Sequence, residues 1–175
     1  MGKVLKIAAA SVGILGVAAI GAFWALGPAK VWRVAGDPDQ GSVDWDHLER
    51  SGTPNDSFVG SVGACATPAD ITLSAYNEPP DALIGRVDAV IRSGILSGDV
   101  QRVDDGQDRL ARRYVVRTPT MGFPDTLNVA VRAIDGQSGL LLYSRSLLGR
   151  SDLGANEKRL MRIVEALRDK AIASD

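Results

Sequence analysis

The chain of 175 residues is long enough for one ordinary domain with an appendage and too short for two full domains. It carries 20 Lys and Arg against 21 Asp and Glu, but Met1–Ala35 holds four of the bases and no acid, which leaves the rest with 16 bases, 21 acids and a net charge of −5. Such an acidic body has no net field for gripping nucleic-acid phosphates, and a single cysteine and a single histidine exclude an internal disulfide, a multi-cysteine zinc site and a His-rich metal centre.

Residues 1–6 read as a short cytoplasmic tail and residues 7–27, IAAASVGILGVAAIGAFWALG, as a transmembrane helix. The stretch is uncharged, and 21 residues at about 1.5 Å each span about 31 Å, the thickness of a bilayer hydrocarbon core. Lys3 and Lys6 precede it, Pro28 ends it, and Phe23, Trp24 and Trp32 fall near its second boundary, where amphipathic rings favour the headgroup layer. A cleaved signal peptide is the rival reading. Its apolar region runs to about 15 residues and ends in a small-x-small site, whereas here bulky Trp24 and Leu26 flank Ala25 and Pro28 follows Gly27. Cys65 lies too far downstream for a lipoprotein. Bases flank both ends equally. A short tail before a long body therefore sets the orientation: a single pass of the inner membrane, with the C-terminal domain extracytoplasmic. Small residues four apart, Ala9 with Gly13 and Ala18 with Ala22, allow close approach of another helix or reflect the ordinary alanine and glycine content of membrane spans.

Residues 28–69 read as a polar linker or lead-in, because Gly, Pro, Asp and Ser dominate and no apolar period persists. Trp45, Leu48, Phe58 and Val59 are the side chains able to pin parts of it to the body. Residues 70–173 form the domain. Ile71, Leu73 and Ala75 alternate with polar residues as a short strand. Pro79 and Pro80 then open a helix with Leu83, Ile84, Val87, Val90 and Ile91 on one face and Gly94 at its exit. Four strand candidates follow, over residues 99–103, 109–117, 127–133 and 140–148, with turns at Asp105-Gly106 and Asp135-Gly136. A last helix, Ala155 to Ala173, buries Leu160, Ile163, Val164, Leu167 and Ala171. The order strand, helix, four strands, helix predicts an α+β fold: an antiparallel sheet covered on one face by two helices, its other face wet or met by a membrane, partner or ligand.

Three motifs in the C-terminal half, Phe123-Pro124-Asp125-Thr126, Tyr143-Ser144-Arg145-Ser146 and Gly149-Arg150-Ser151-Asp152-Leu153-Gly154 followed by Asn156, resemble the family known as domain of unknown function 1499 (DUF1499), found in bacteria and plant plastids. The resemblance covers Pro68 to Lys170 and implies a membrane-anchored bacterial member. Many members carry a Cys-Pro-x-Ser-Pro-Asn-Cys lead-in that this chain lacks, so a redox or metal role tied to it does not carry over. The resemblance brings no biochemical activity and implies no cofactor.

The best constellation for chemistry is Asp125, Arg145, Arg150, Ser151, Asp152, Asn156 and Arg159. Asp125 starts one strand and Arg145 ends its neighbour, so the two are expected to meet. Arginine forks beside a helix N-terminus make a seat for a carboxylate or phosphate. The competing reading is structural: Ser151 or Asp152 caps the helix and Arg145 pairs with Asp125 or Asp152. His47, near Asp44, Asp46 and Glu49, reads as a solvated imidazole in a polar tether; Cys65 has no base beside it to lower its pKa; Arg109, Arg112, Arg113 and Arg117 pair with aspartates or touch headgroups. No metal site is expected. Three functions stay open. The first is an accessory or interaction domain that meets a protein partner or small anionic ligand. The second is a carrier of an apolar lipid or quinone between sheet and helices. The third is an enzyme using Asp125 or Asp152 as base, which lacks a nucleophile–base pair.

Overall fold

The proline pair sets the first helix of the domain where the sequence places it. Pro79 is extended and Pro80 occupies the first turn, where a missing N–H costs nothing. The computed structural model describes residues 15–172. In chain order it contains α1 (Leu15–Leu26), a short helical elbow of α2 (Pro28–Val31) and a 3-10 turn (Trp32–Ala35), β1 (Asp56–Ser61), β2 (Ile71–Leu73), α3 (Pro80–Val90), β3 (Asp99–Arg102), β4 (Ala111–Arg117), β5 (Pro124–Ile134), β6 (Gln137–Ser146) and α4 (Ala155–Ile172). Gly94, at φ +84°, breaks the turn that extends α3. Asp135 and Gly136, both at positive φ, make the two-residue turn between β5 and β6.

The α+β class is as expected, with helices α3 and α4 on one face of the sheet. Their apolar stripes, Leu83, Ile84, Val87 and Ile91 from α3 and Leu160, Ile163, Val164 and Leu167 from α4, interlock with Leu127, Val129, Leu140 and Leu142 of β5 and β6. Each such side chain taken fully from water contributes about 1.5–3 kcal/mol. The Arg86 guanidinium donates to the Leu167 carbonyl at 2.7 Å and ties α3 to α4. Ala171, the last residue of the expected stripe, lies outside the residues whose side chains are described, as does the expected helix end at Ala173.

Three expectations are corrected. The sheet has six strands in the order β2-β1-β6-β5-β4-β3, not five, and the additional one lies inside the stretch read as linker. Strand β1 pairs antiparallel with β6 and parallel with β2, so the sheet is mixed. It escapes a period-2 pattern because both of its faces are covered: Val59 packs under the helices, while Phe58 packs on the opposite side. That opposite face is not open. Val43, Trp45 and Leu48 of the lead-in lie over Phe58, Ala130, Leu141 and Tyr143 and form a second apolar cluster.

The expected N-terminal span is described only in part. Residues 1–14, which include the expected tail, the first part of the expected span and the Ala9–Gly13 pair, lie outside the described residues. Among the described residues no single helix is long and apolar enough to cross a membrane; α1 and the elbow Pro28–Ala35 reach that length and hydropathy only together, across a 98° bend. The elbow is held against the domain. The Trp32 indole N–H donates to the Met121 carbonyl at 2.6 Å, and its ring lies 4.7 Å from that of Phe123. Gly122, at φ +63°, makes this approach possible, since a Cβ there would sit 2.9 Å from Pro28 Cβ.

Candidate functional site

Strand register decides where the expected site residues go. Asp125 pairs with Ser146, and Arg145 pairs with Thr126. This one-residue offset sends the Asp125 and Arg145 side chains to opposite faces of the sheet, so the expected meeting of the two does not occur.

On the helix face Asp125 accepts from Arg159 Nη2 at 2.5 Å. Arg159 Nη1 also donates to Ser144 Oγ at 2.8 Å and to Asn156 Oδ1. The Asn156 amide then donates to the Asn55 carbonyl and to Ser146 Oγ, both at 3.0 Å. All of these groups are buried or nearly so. The network stitches the first turn of α4 to β5, β6 and the residue before β1, and its lone pairs and protons are used internally. Asp152 is the cap of α4: its carboxylate accepts from the backbone N–H of Asn156 at 2.8 Å and of Gly154 at 3.0 Å, which contributes about 1 kcal/mol. Ser151 Oγ accepts from the Leu153 amide at 3.3 Å.

On the opposite face the Arg145 guanidinium donates to the Gln40 carbonyl at 2.6 Å and lies 5.8 Å from the centre of the Tyr143 ring. It fastens the lead-in, together with Gln40, whose backbone N–H donates to Thr126 Oγ1 at 3.0 Å. Arg150 is exposed. The seven residues are therefore divided among a buried brace, a helix cap, a clamp on the far face and the solvent.

Two features were not foreseen. The first is a second arginine fork: Arg50 Nε and Nη2 grip Asp56 at 3.0 and 2.8 Å, and Nη1 and Nη2 reach Asp70 at 3.1 and 2.9 Å. Burial pushes the Asp56 carboxyl up, but donation from Arg50, the Tyr143 hydroxyl and the Ser51 amide outweighs it and holds the group below its ordinary range. Burial and the same carboxylate push the Tyr143 phenol up. A sign of this fork was present in the acidic spacing around Arg50, but nothing in it marks which aspartates the chain will fold onto it.

The second feature is a pocket of about 330 Å³ under the lead-in at the β3–β4 end of the sheet, lined among others by Trp45, Asp105, Asp108, Arg112 and Asn128. Asn128 is 4% exposed, and neither its Nδ2 nor Arg112 Nε has a hydrogen-bond partner. Leaving a buried donor unpaired costs about 1–3 kcal/mol, and the two residues that carry these donors line the same pocket. Asp104, across the mouth, is held down to about 2 by the Arg102 guanidinium. At the other end of the sheet a more apolar pocket of about 280 Å³ is lined by Phe123, Leu148 and Leu153, among others, and next to it a cleft of about 190 Å³ carries Lys158 and Arg162. Neither the 330 Å³ pocket nor the 280 Å³ one lies in the layer between sheet and helices.

His47 is exposed, 3.2 Å from Asp44, and the Cys65 thiol donates to the Trp45 carbonyl at 2.9 Å. Arg113 forks onto Asp39 at 2.7 and 3.0 Å, and Arg109 reaches Asp81 at 2.9 Å, so part of the basic strand pairs with aspartates. Among the described residues no group of three or more His, Cys, Asp or Glu is placed to hold a metal ion.

A family model described as a protein of unknown function (DUF1499) matches residues 53–167. The match begins before β1 and so takes in the strand that the expected boundary at Pro68 leaves out. No curated protein and no solved structure matches the chain.

Proposed function

For a chain that belongs to the DUF1499 family of proteins of unknown function, we propose the role of a membrane-anchored binding domain, carried by a single pass of a bacterial inner membrane with its head outside the cytoplasm. The head takes a small polar molecule at Asn128. The carrying observation is that Asn128 and Arg112, each with a buried donor that lacks a partner (Nδ2 and Nε), both line one pocket of about 330 Å³, a size that suits a ligand of sugar or amino-acid dimensions. The ligand presents acceptors to these two donors and donors to Asp105 and Asp108, with the Trp45 ring as an apolar wall.

The anchor is supported by the side chains of α1. Leu15, Val17, Ile20 and Leu26 all face outward, and the apolar run continues through residues 7–14 of the sequence; a bilayer removes this surface from water. An enzymatic role for Asp125 or Asp152 draws no support from their surroundings, since one carboxylate is committed to Arg159 and the other to helix capping. The test is purification of the full chain from native membranes in mild detergent, followed by native mass spectrometry. A bound small molecule is expected in the wild type and lost in Asn128→Leu. A wild-type protein without one, beside an Asn128→Leu variant of higher thermal midpoint, would reduce Asn128 to a packing flaw and overturn the binding role. Release of the protein by alkaline carbonate would overturn the anchor.

A further inference from the structure

The end of the head nearest the elbow carries apolar side chains where a water-facing surface has no use for them. Leu153 is 87% exposed and Val34 88%, and Met121 and Phe123 are 40% and 37% exposed. These belong to one patch. Phe123 stacks on Trp32 of the elbow, and Phe123 and Leu153 line the same pocket; Gly36, two residues beyond Val34, lies against Leu147, 3.5 Å from where a glycine Cβ would sit. Leu153 also holds a left-handed backbone, φ +53°, a conformation that disfavours a branched side chain. A strained residue that displays a leucine to solvent is a feature that invites a partner.

We infer that this end of the head is a second lipid contact: Leu153, Met121, Phe123 and Val34 lie in the interfacial layer of the bilayer that α1 enters. The inference rests on the anchor reading above. Two observations commit the patch to lipid. It is continuous with the apolar helix through Trp32 and Phe123, so whatever solvates α1 reaches it first. Its surroundings are basic: Lys30 and Arg33 on the elbow, Arg150 beside Leu153, and Lys158 and Arg162 in the adjoining cleft. The acids at this end are Asp152, turned inward as the cap, and exposed Asp37, Asp99 and Glu157; the five bases outnumber these exposed acids, so the rim favours anionic headgroups. The Asn128 pocket lies at the other end of β4, about 20 Å away at 3.3 Å per residue, and faces water when the patch faces lipid.

The experiment uses the full chain with Cys65→Ser, reconstituted into vesicles of phosphatidylcholine with phosphatidylglycerol. A fluorescent nitrobenzoxadiazole label is placed at Leu153→Cys, at Met121→Cys as an independent second site, or at Gln107→Cys on the pocket end. Labels at 153 and 121 are expected to emit to the blue and to be quenched by lipids brominated near the headgroup; the label at 107 is expected to stay water-like and unquenched. The blue shift is expected to shrink in vesicles of phosphatidylcholine alone, and equal shifts in both would overturn the role of the basic rim. Water-like, unquenched labels at 153 and 121 on protein that resists carbonate would overturn the inference and leave the anchor standing. Protein released by carbonate would overturn the anchor reading and this inference with it.

Discussion

Replacing Arg159 by methionine tests whether the Asp125 network is a brace. Methionine keeps the bulk of the stem and removes the charge. Asp125, 3% exposed, is then left as an uncompensated carboxylate, and Ser144 and Asn156 each lose a donor. Breaking a buried ion pair from one side costs about 3–5 kcal/mol. For a chain of this length that corresponds to a fall in thermal midpoint of roughly 6–20 °C at 2–4 °C per kcal/mol. Adding Asp125→Leu removes the orphaned charge, and the double variant is expected to recover most of the loss, because apolar replacement of a whole buried pair is close to neutral. Thermal unfolding of the full chain in detergent micelles, followed by circular dichroism, reads both numbers and their coupling. A loss below about 1 kcal/mol for Arg159→Met would put the pair in the class of exposed salt bridges. A double variant no better than the single would show that the buried charge was not the source of the cost. Either result refutes the brace.

The two other arginines of the expected site should behave differently from one another in the same melts. Arg150→Gln should stay within about 0.5 kcal/mol of wild type, whereas Arg145→Gln, which loses a charged donor to the Gln40 carbonyl, should cost about 1.5–3 kcal/mol and open residues 37–50 to protease; equal losses would contradict the separation of the two across the sheet. Acid should weaken the fold through Asp56. Its folded pKa is depressed, so its stabilisation is complete above the unfolded value of about 4 and drains as the pH falls through the folded value. Unfolding measured against pH should show this acid limb in the wild type and a shallower one in Arg50→Gln, and superimposable limbs would remove the Arg50 fork as the cause. Trp32→Ala should leave the stability of the head within about 1 kcal/mol of wild type while speeding proteolysis in the elbow, and unchanged cleavage would mean that Trp32 does not hold it.

What could be read in advance follows from where side chains alternate. Strands β5 and β6 announce themselves because Leu127, Val129 and Val131 and then Leu140 and Leu142 recur at period 2 beneath the helices. Helices α3 and α4 do so because Leu83, Val87, Leu160 and Leu167 fall on single stripes. Strand β1 is buried on both sides and built from Asp-Ser-Phe-Val-Gly-Ser, in which small polar residues take core positions against Asp70 and the Ser74 carbonyl; local composition there says loop, and only its long-range partners make it a strand. The site residues were individually visible, but their grouping depended on a register set by the Asp135-Gly136 turn. One residue either way puts Asp125 and Arg145 on the same face. Asn128 gave no signal at all, since an asparagine on a strand that alternates cleanly looks like its wet side.

The placement of β1 also has a kinetic meaning. Its main hydrogen-bonding partner is β6, with Asp56 opposite Arg145, so the strand emerges early in synthesis and waits for nearly the whole chain before its edge is satisfied. Loop closure over such a separation slows folding, and an unpaired strand edge held open in the meantime invites pairing with a neighbour. A head of this topology has to be shielded from its own copies until the last hairpin arrives.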